Sequence, residues 1–436
     1  MEFYLFMHFG PNTFTDKEWG HGDEPEDIFN PTAMDCRQWC RIAKQSGAKG
    51  IIITAKHHDG FCLWPSKYSK HTVRESKWKN GKGDVLLELS KACKEYGLKF
   101  GVYISPWDRN HPKYGTPEYN EVYINTMKEI FAKYGPLFEL WWDGANGEGP
   151  DGKMQVYDFK RFEKTVRALS PKTVVFSDIG PDIRWVGNEN GFAGKTNWNM
   201  LDTAGFGRGK SAPKTDVLNT GNENGKNWLP AECDVSIRPG WFYHKEEDAK
   251  VKTPEQLFDL YLKSVGRGAN LLLNVPPDRR GLINENDSAA LVGFKDLRDQ
   301  NFGKKIKPDR PLISQGKYST VAPKLNDDKA DTYEAVKDVK NYDRVRFEYN
   351  QATTINCIML QEEIRFGQNI SAFKIVFRNG KNETGSLSGT TIGRKRIISF
   401  PAKEITSFDI IFTKAKATPL ISEVAAYLID EKLVEQ

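Results

Sequence analysis

Gly50-Ile51-Ile52-Ile53-Thr54-Ala55-Lys56-His57-His58-Asp59-Gly60 joins two patterns in eleven residues. Its first six residues carry no charge and three are isoleucine, which suits a short strand buried on both faces, as in a parallel sheet. The chain then changes abruptly to charge and imidazole. The same junction recurs along the first 300 residues. Phe3–Phe9 carries His8, and Lys99–Ser105 runs into Pro106-Trp107-Asp108-Arg109. Phe138–Trp142 ends at Asp143-Gly144, Thr173–Ser177 ends at Asp178, and Asn270–Val275 is the last such run.

Between these strands lie amphipathic stretches: Met34–Ser46, Val85–Tyr96, Glu118–Tyr134, Asp158–Leu169 and Pro254–Val265. In the second, Leu86, Leu87, Leu89 and Cys93 form an apolar face, and Gly97 suits a helix stop. Strand and helix in alternation predict an α/β fold, a (β/α)₈ barrel of the TIM type. The less regular stretch from Lys195 to His244 would hold its distorted units. An open doubly wound sheet is the alternative, but no glycine-rich phosphate loop follows any strand. In a barrel the C-terminal strand ends share one mouth, so the polar clusters would converge there.

Beyond residue 301 the texture changes. Asn301–Ser314 is polar, carries Pro308 and Pro311, and reads as a linker. Short alternating runs follow: Arg344–Tyr349, Thr354–Leu360, Ser371–Arg378, Arg396–Phe400, Phe408–Phe412 and Ile421–Leu428, with a tight turn at Asn379-Gly380. These predict an all-β sandwich over residues 315–436, after a barrel domain over residues 1–300.

Composition narrows the chemistry. The 63 basic and 58 acidic residues leave a net charge of +5, too mild and too mixed for a nucleic-acid or membrane surface. No apolar run approaches the roughly 18 residues that span a bilayer. The chain enters strand-like sequence at Phe3, an abrupt start that suits removal of a leader and hence a periplasmic or extracellular protein. The six cysteines form no disulfide framework; Cys36 and Cys40, four apart on a helix without partner ligands, read as buried thiols. Eleven tryptophans are a rich supply, and flat rings pack well on the C–H faces of sugars.

Glycoside hydrolysis needs two carboxyl groups. Asp143 follows the apolar Leu140-Trp141-Trp142, and Gly144 frees the backbone to turn beside it. A carboxylate there is costly unless it is hydrogen-bonded or at work. Asp178, Glu189, Glu223 and Glu232 are all possible partners by spacing. His57-His58 could suggest a metal, yet neighbours on a regular strand point to opposite faces, so hydrogen bonding to a hydroxylated ligand is favoured and no metal or cofactor is expected. No G-x-S-x-G elbow supports a serine hydrolase. A metal-dependent hydrolase and a sugar-binding protein with degenerate catalysis are the rival readings.

Taken together, His8-Phe9-Gly10, Lys56-His57-His58-Asp59-Gly60-Phe61, Leu140-Trp141-Trp142-Asp143-Gly144 and Asn270-Leu271-Leu272-Leu273-Asn274-Val275 resemble glycoside hydrolase family 29, the α-L-fucosidases. The resemblance spans the first domain and implies a retaining exo-hydrolase acting on fucosylated glycans. It implies that Asp143 is the nucleophile, that Trp141 lines the fucose pocket, and that His8, His57 and His58 bind fucose hydroxyls. Trp19, in Glu18-Trp19-Gly20, looks like a sugar-contacting aromatic, and Trp241 like a pocket wall. Arg184–Gly191 and the Trp107 block resemble the subfamily cleaving α-1,3 and α-1,4 branches, in which Glu189 matches the acid/base. Val275-Pro276-Pro277 departs from the commoner Val-Gly-Pro.

Overall fold

The computed structural model describes residues 1–315, 318–329, 331–336 and 344–435. Eight parallel strands close into a barrel: β1 (Phe3–Met7), β2 (Gly50–Lys56), β3 (Lys99–Ile104), β4 (Glu139–Trp141), β5 (Val174–Ser177), β6 (Ile183–Trp185), β7 (Ala231–Ser236) and β8 (Asn270–Asn274). They follow one another round the barrel in chain order, and β8 closes it against β1 through Phe3↔Leu271 to Phe6↔Asn274. All seven residues of β2 are buried, as a strand covered on both faces requires.

The pleat sorts side chains by parity. On β1, Phe3, Leu5 and Met7 face the helical shell, while Tyr4 and Phe6 join Ile52, Tyr103, Trp141, Phe176, Ile183 and Leu272 inside the barrel. The shell is built from α1 (Cys36–Gln45), α2 (Val85–Tyr96), α3 (Pro117–Tyr134), α4 (Phe159–Leu169), α5 (Pro254–Lys263) and α6 (Glu285–Phe302). Their ends are specified locally. Asp84 caps α2 by accepting from Leu87 N, Gly97 closes it at φ 70°, and Thr253 and Gln256 form a capping box on α5. Among the described residues no helix is long and apolar enough to cross a membrane.

The second domain is an antiparallel sandwich: β9 (Arg310–Gln315), β10 (Tyr318–Val321), β11 (Arg344–Glu362), β12 (Ile370–Asn379), β13 (Asn382–Gly389), β14 (Arg396–Ala415) and β15 (Leu420–Tyr427). Two pairs of expected runs are single long strands here. β11 and β14 bend through register shifts between Glu348/Thr353 and Ile355/Cys357, so each serves both layers. β9 occupies the end of the stretch expected to be linker. The turn at Gly380 does join β12 to β13 as a hairpin. Cys357, Ile397, Ala425 and Tyr427 pack into the barrel's outer core. Gln368 hydrogen-bonds Asn199 N and Asn197 O across the same interface.

Candidate active site

The mouth at the C-terminal ends of the strands encloses a cavity of about 170 Å³. It is large enough for one monosaccharide and below the usual range for a drug-sized ligand. His8, Trp19, His57, His58, Trp141, Asp143, Glu189 and Trp241 all line it, together with Phe6, Glu18, Tyr103, Ala145 and Asp234. Trp107 stands one layer back. It packs on His58 and Trp19 at ring separations of 4.8 and 5.6 Å, and its indole donates to Glu148 O.

Asp143 lies just beyond β4, where the chain leaves the barrel wall. Tyr103 Oη donates to its Oδ2 at 2.9 Å and Ala145 N donates to its Oδ1 at 2.8 Å. Each carboxylate oxygen is thus aimed by one donor, while the side chain keeps 26% of its surface open to the cavity. His58 Nε2 is 3.7 Å from Oδ2.

The three histidines are neutral hydrogen-bonding groups. Burial pushes His8 and His58 down to about 4 and His57 well below the usual imidazole range. For His8 the tautomer follows from its neighbours. Asn274 Nδ2 donates to Ser236 Oγ and to Trp241 O, so Oδ1 is the atom facing His8 N and Nδ1. Nδ1 must then carry the proton, leaving Nε2 as a free acceptor. His57 and His58 do not point apart, as a regular strand would make them. β2 ends at Lys56 after a register shift, and beyond it both rings turn into the cavity 4.2 Å apart. Among the described residues no three His, Cys, Asp or Glu side chains are placed to hold a metal ion.

Lys56 sits beneath them as a structural cation. Its Nζ reaches Asp108 Oδ2 at 3.2 Å and Trp107 O at 3.1 Å, with both side chains buried. Burial works against ionisation of Asp108, but Lys56, His111 and two backbone N–H groups outweigh it and hold the carboxyl below its usual range. The pair fixes the loop after β3, against which Trp19 and His58 pack.

Of the four possible partners for Asp143, only Glu189 lines the cavity. Glu232 is fully buried and accepts from Tyr4 Oη and from Trp141 Nε1 (2.9 Å). Glu223 binds Ser371 and Lys414 of the second domain. Asp178 packs against Gly144 behind the wall. Glu189 is exposed on the loop after β6, and its Oε2 accepts from Trp241 Nε1 at 3.2 Å. That loop is well anchored. Arg184, fully buried, donates to Leu218 O, Leu229 O and Asn197 Oδ1. Gly187 and Gly191 hold φ of 87° and 78°, and a Cβ on Gly191 would meet Val235 at 2.8 Å.

Sequence reasoning missed Tyr103, Asn274 as the anchor of His8, Asp234, and Glu18 as a ligand of the opposite wall. Glu18 accepts from Trp241 N and Phe242 N at 2.8 and 3.1 Å, tying the loop after β1 to the loop after β7. Asn274 and Glu18 lay inside quoted motifs, so a signal existed for them. Tyr103 read as one more apolar strand residue.

The sequence model of the α-L-fucosidase family matches residues 6–296. Alpha-L-fucosidase 1 of Arabidopsis thaliana is 42% identical over 437 residues, covering 97% of this chain and 84% of the relative. The crystal structure of a glycoside hydrolase 29 family member from an unknown rumen bacterium is 39% identical with a TM-score of 0.87, covering 99% of this chain and 76% of that one. A Ruminococcus gnavus GH29 fucosidase solved in complex with fucose is 32% identical with a TM-score of 0.89, covering 100% and 94%.

Proposed function

The chain belongs to the α-L-fucosidase family, glycoside hydrolase family 29, and from that premise we propose that it releases terminal α-L-fucose with retention, preferring α-1,3 and α-1,4 branches. The observation that carries this reading is the placement of Asp143 and Glu189 on one monosaccharide-sized cavity with three neutral histidines.

In the first step a carboxylate oxygen of Asp143 bonds to C1 as the C1–O glycosidic bond breaks, and Glu189 gives its proton to the departing oxygen. In the second, water attacks C1, its proton goes to Glu189, and the bond to Asp143 breaks. Tyr103 and Ala145 N orient the nucleophile. Neutral imidazoles can accept as well as donate, so they read sugar hydroxyls without adding charge beside a carbocation-like transition state. Phe6, Trp141 and Trp241 supply the apolar contact that a methyl group needs.

The branch preference is supported by a second feature. A groove of about 740 Å³ begins at Glu189 and Trp241 and runs past Phe192 and α5 to Lys432–Glu435. It starts at the proposed acid, where the leaving group departs, and its polar walls suit an oligosaccharide. The test follows the anomer by NMR during hydrolysis of a Lewis-type trisaccharide and of an aryl α-L-fucoside. α-L-Fucose as the first product, with the trisaccharide preferred, is expected. β-L-Fucose first would overturn retention, and equal or reversed preference would overturn the branch assignment.

A further inference from the structure

Four carboxyl groups line the cavity: Glu18, Asp143, Glu189 and Asp234. The first three are accounted for. Glu18 accepts two backbone N–H groups, Asp143 accepts Tyr103 and Ala145, and Glu189 accepts Trp241. Asp234 is different. It is 4% exposed, and its Oδ1 is buried with no hydrogen-bond partner among the described residues.

Strand parity explains how it comes to be there. On β7, Cys233 and Val235 pack outward against the shell, so Glu232, Asp234 and Ser236 form an inward column. Glu232 closes the barrel floor under Trp141, and Ser236 is tied to Asn274 and Gly240 O near the rim. Asp234 lies between them, level with the cavity. A buried carboxyl oxygen without a donor is destabilising, and such a group persists where something else satisfies it.

We propose that Asp234 is a substrate-binding residue that hydrogen-bonds a ring hydroxyl of the fucosyl unit, on the side of the cavity next to Glu189. This rests on the fucosidase reading and extends it. Burial pushes the Asp234 carboxyl well above the usual range, and the neighbouring Glu189 carboxylate adds to the rise. A carboxyl that holds its proton more tightly than usual can donate as well as accept, which suits pairing with a hydroxyl beside Glu189.

The experiment measures kcat/KM for parent, Asp234→Ala and Asp234→Asn on 4-nitrophenyl α-L-fucoside and on its 2-deoxy, 3-deoxy and 4-deoxy analogues. Asp234→Ala should cost about 100-fold on the full substrate, as expected for losing a buried polar partner of a sugar hydroxyl. On one of the three deoxy analogues that penalty should shrink to under about threefold, because the hydroxyl it reads is already gone. Asp234→Asn keeps hydrogen-bonding capacity and nearly the same volume; it should lose less and show the same selectivity, and it supplies the reading if the alanine variant fails to fold. Equal penalties on all four substrates, or none, would overturn the assignment. Parent turnover of the fucoside tests the fucosidase reading, whereas the variant-to-parent ratios across the series test Asp234.

Discussion

Glu139 and Asp143 leave the same stretch of chain toward the barrel interior, one at the floor and one at the mouth, and their surroundings make them different groups. At the floor Glu139 lies against Glu232 in full burial, and burial pushes both carboxyls above their usual range. Tyr4 and Trp141 donate to Glu232, which does not line the cavity at the mouth and holds Trp141 in place. At the mouth Asp143 has a donor on each oxygen and an open face. Trp141 connects the two levels, its indole nitrogen bonded downward to Glu232 and its ring lining the cavity, stacked on Phe176 at 3.9 Å. A carboxyl inside a barrel is therefore not a catalytic signal in itself. Access to a ligand separates the group proposed to act from the supporting one.

The contrast can be broken or sharpened by substitution. Asp143→Ala should lower kcat/KM by about 10⁴-fold or more while leaving the melting temperature close to the parent's. Comparable activity in that variant would remove the distinction between mouth and floor. Glu189→Ala should cost about 10³-fold on an oligosaccharide, where the leaving oxygen needs a proton, and much less on an aryl fucoside with a good leaving group. Equal losses on both would remove its acid role. Glu232→Leu should act in the opposite sense, through stability: stranding the Trp141 and Tyr4 donors should cost about 3 kcal/mol in chemical denaturation. A parent-like midpoint would show that the floor carboxyl supports nothing.

The buried histidines add a pH dependence. Folding holds His8 and His58 at about 4 against 6.5 for a free imidazole, so the unfolded chain binds more protons between those values. Stability should fall as the pH drops from about 6.5 to 4, and this contribution should level off below 4. His58→Asn should flatten that slope in thermal melts; an unchanged slope would contradict the buried neutral histidines.

How much of this was legible depended on whether each strand carries a largely apolar run. β1 to β5 and β8 read as strands because each carries a largely apolar run, even where Glu139, Asn270 and Asn274 turn inward. β7 did not, because Glu232 and Asp234 occupy its inner positions and break the apolar alternation. β6 is three residues long and vanished into the loop carrying Glu189. Asp143 stood out by contrast with the tryptophans before it, whereas Glu189 is an exposed loop residue that only resemblance could single out. The orientation of His57 and His58 was misjudged for a local reason: the register shift before Lys56 cannot be read from residue types. In the second domain, the bends in β11 and β14 fall where polar residues interrupt apolar runs, so each long strand looked like two.

Asp143 is the group proposed to bond to C1. The direct measurement is to incubate the enzyme with a 2-deoxy-2-fluoro-α-L-fucosyl fluoride, whose fluorine slows the second step, and to map the labelled peptide by mass spectrometry. The expected result is a single 2-fluorofucosyl adduct on Asp143. An adduct on any other carboxyl group would contradict it, as would turnover to the inverted sugar with no adduct.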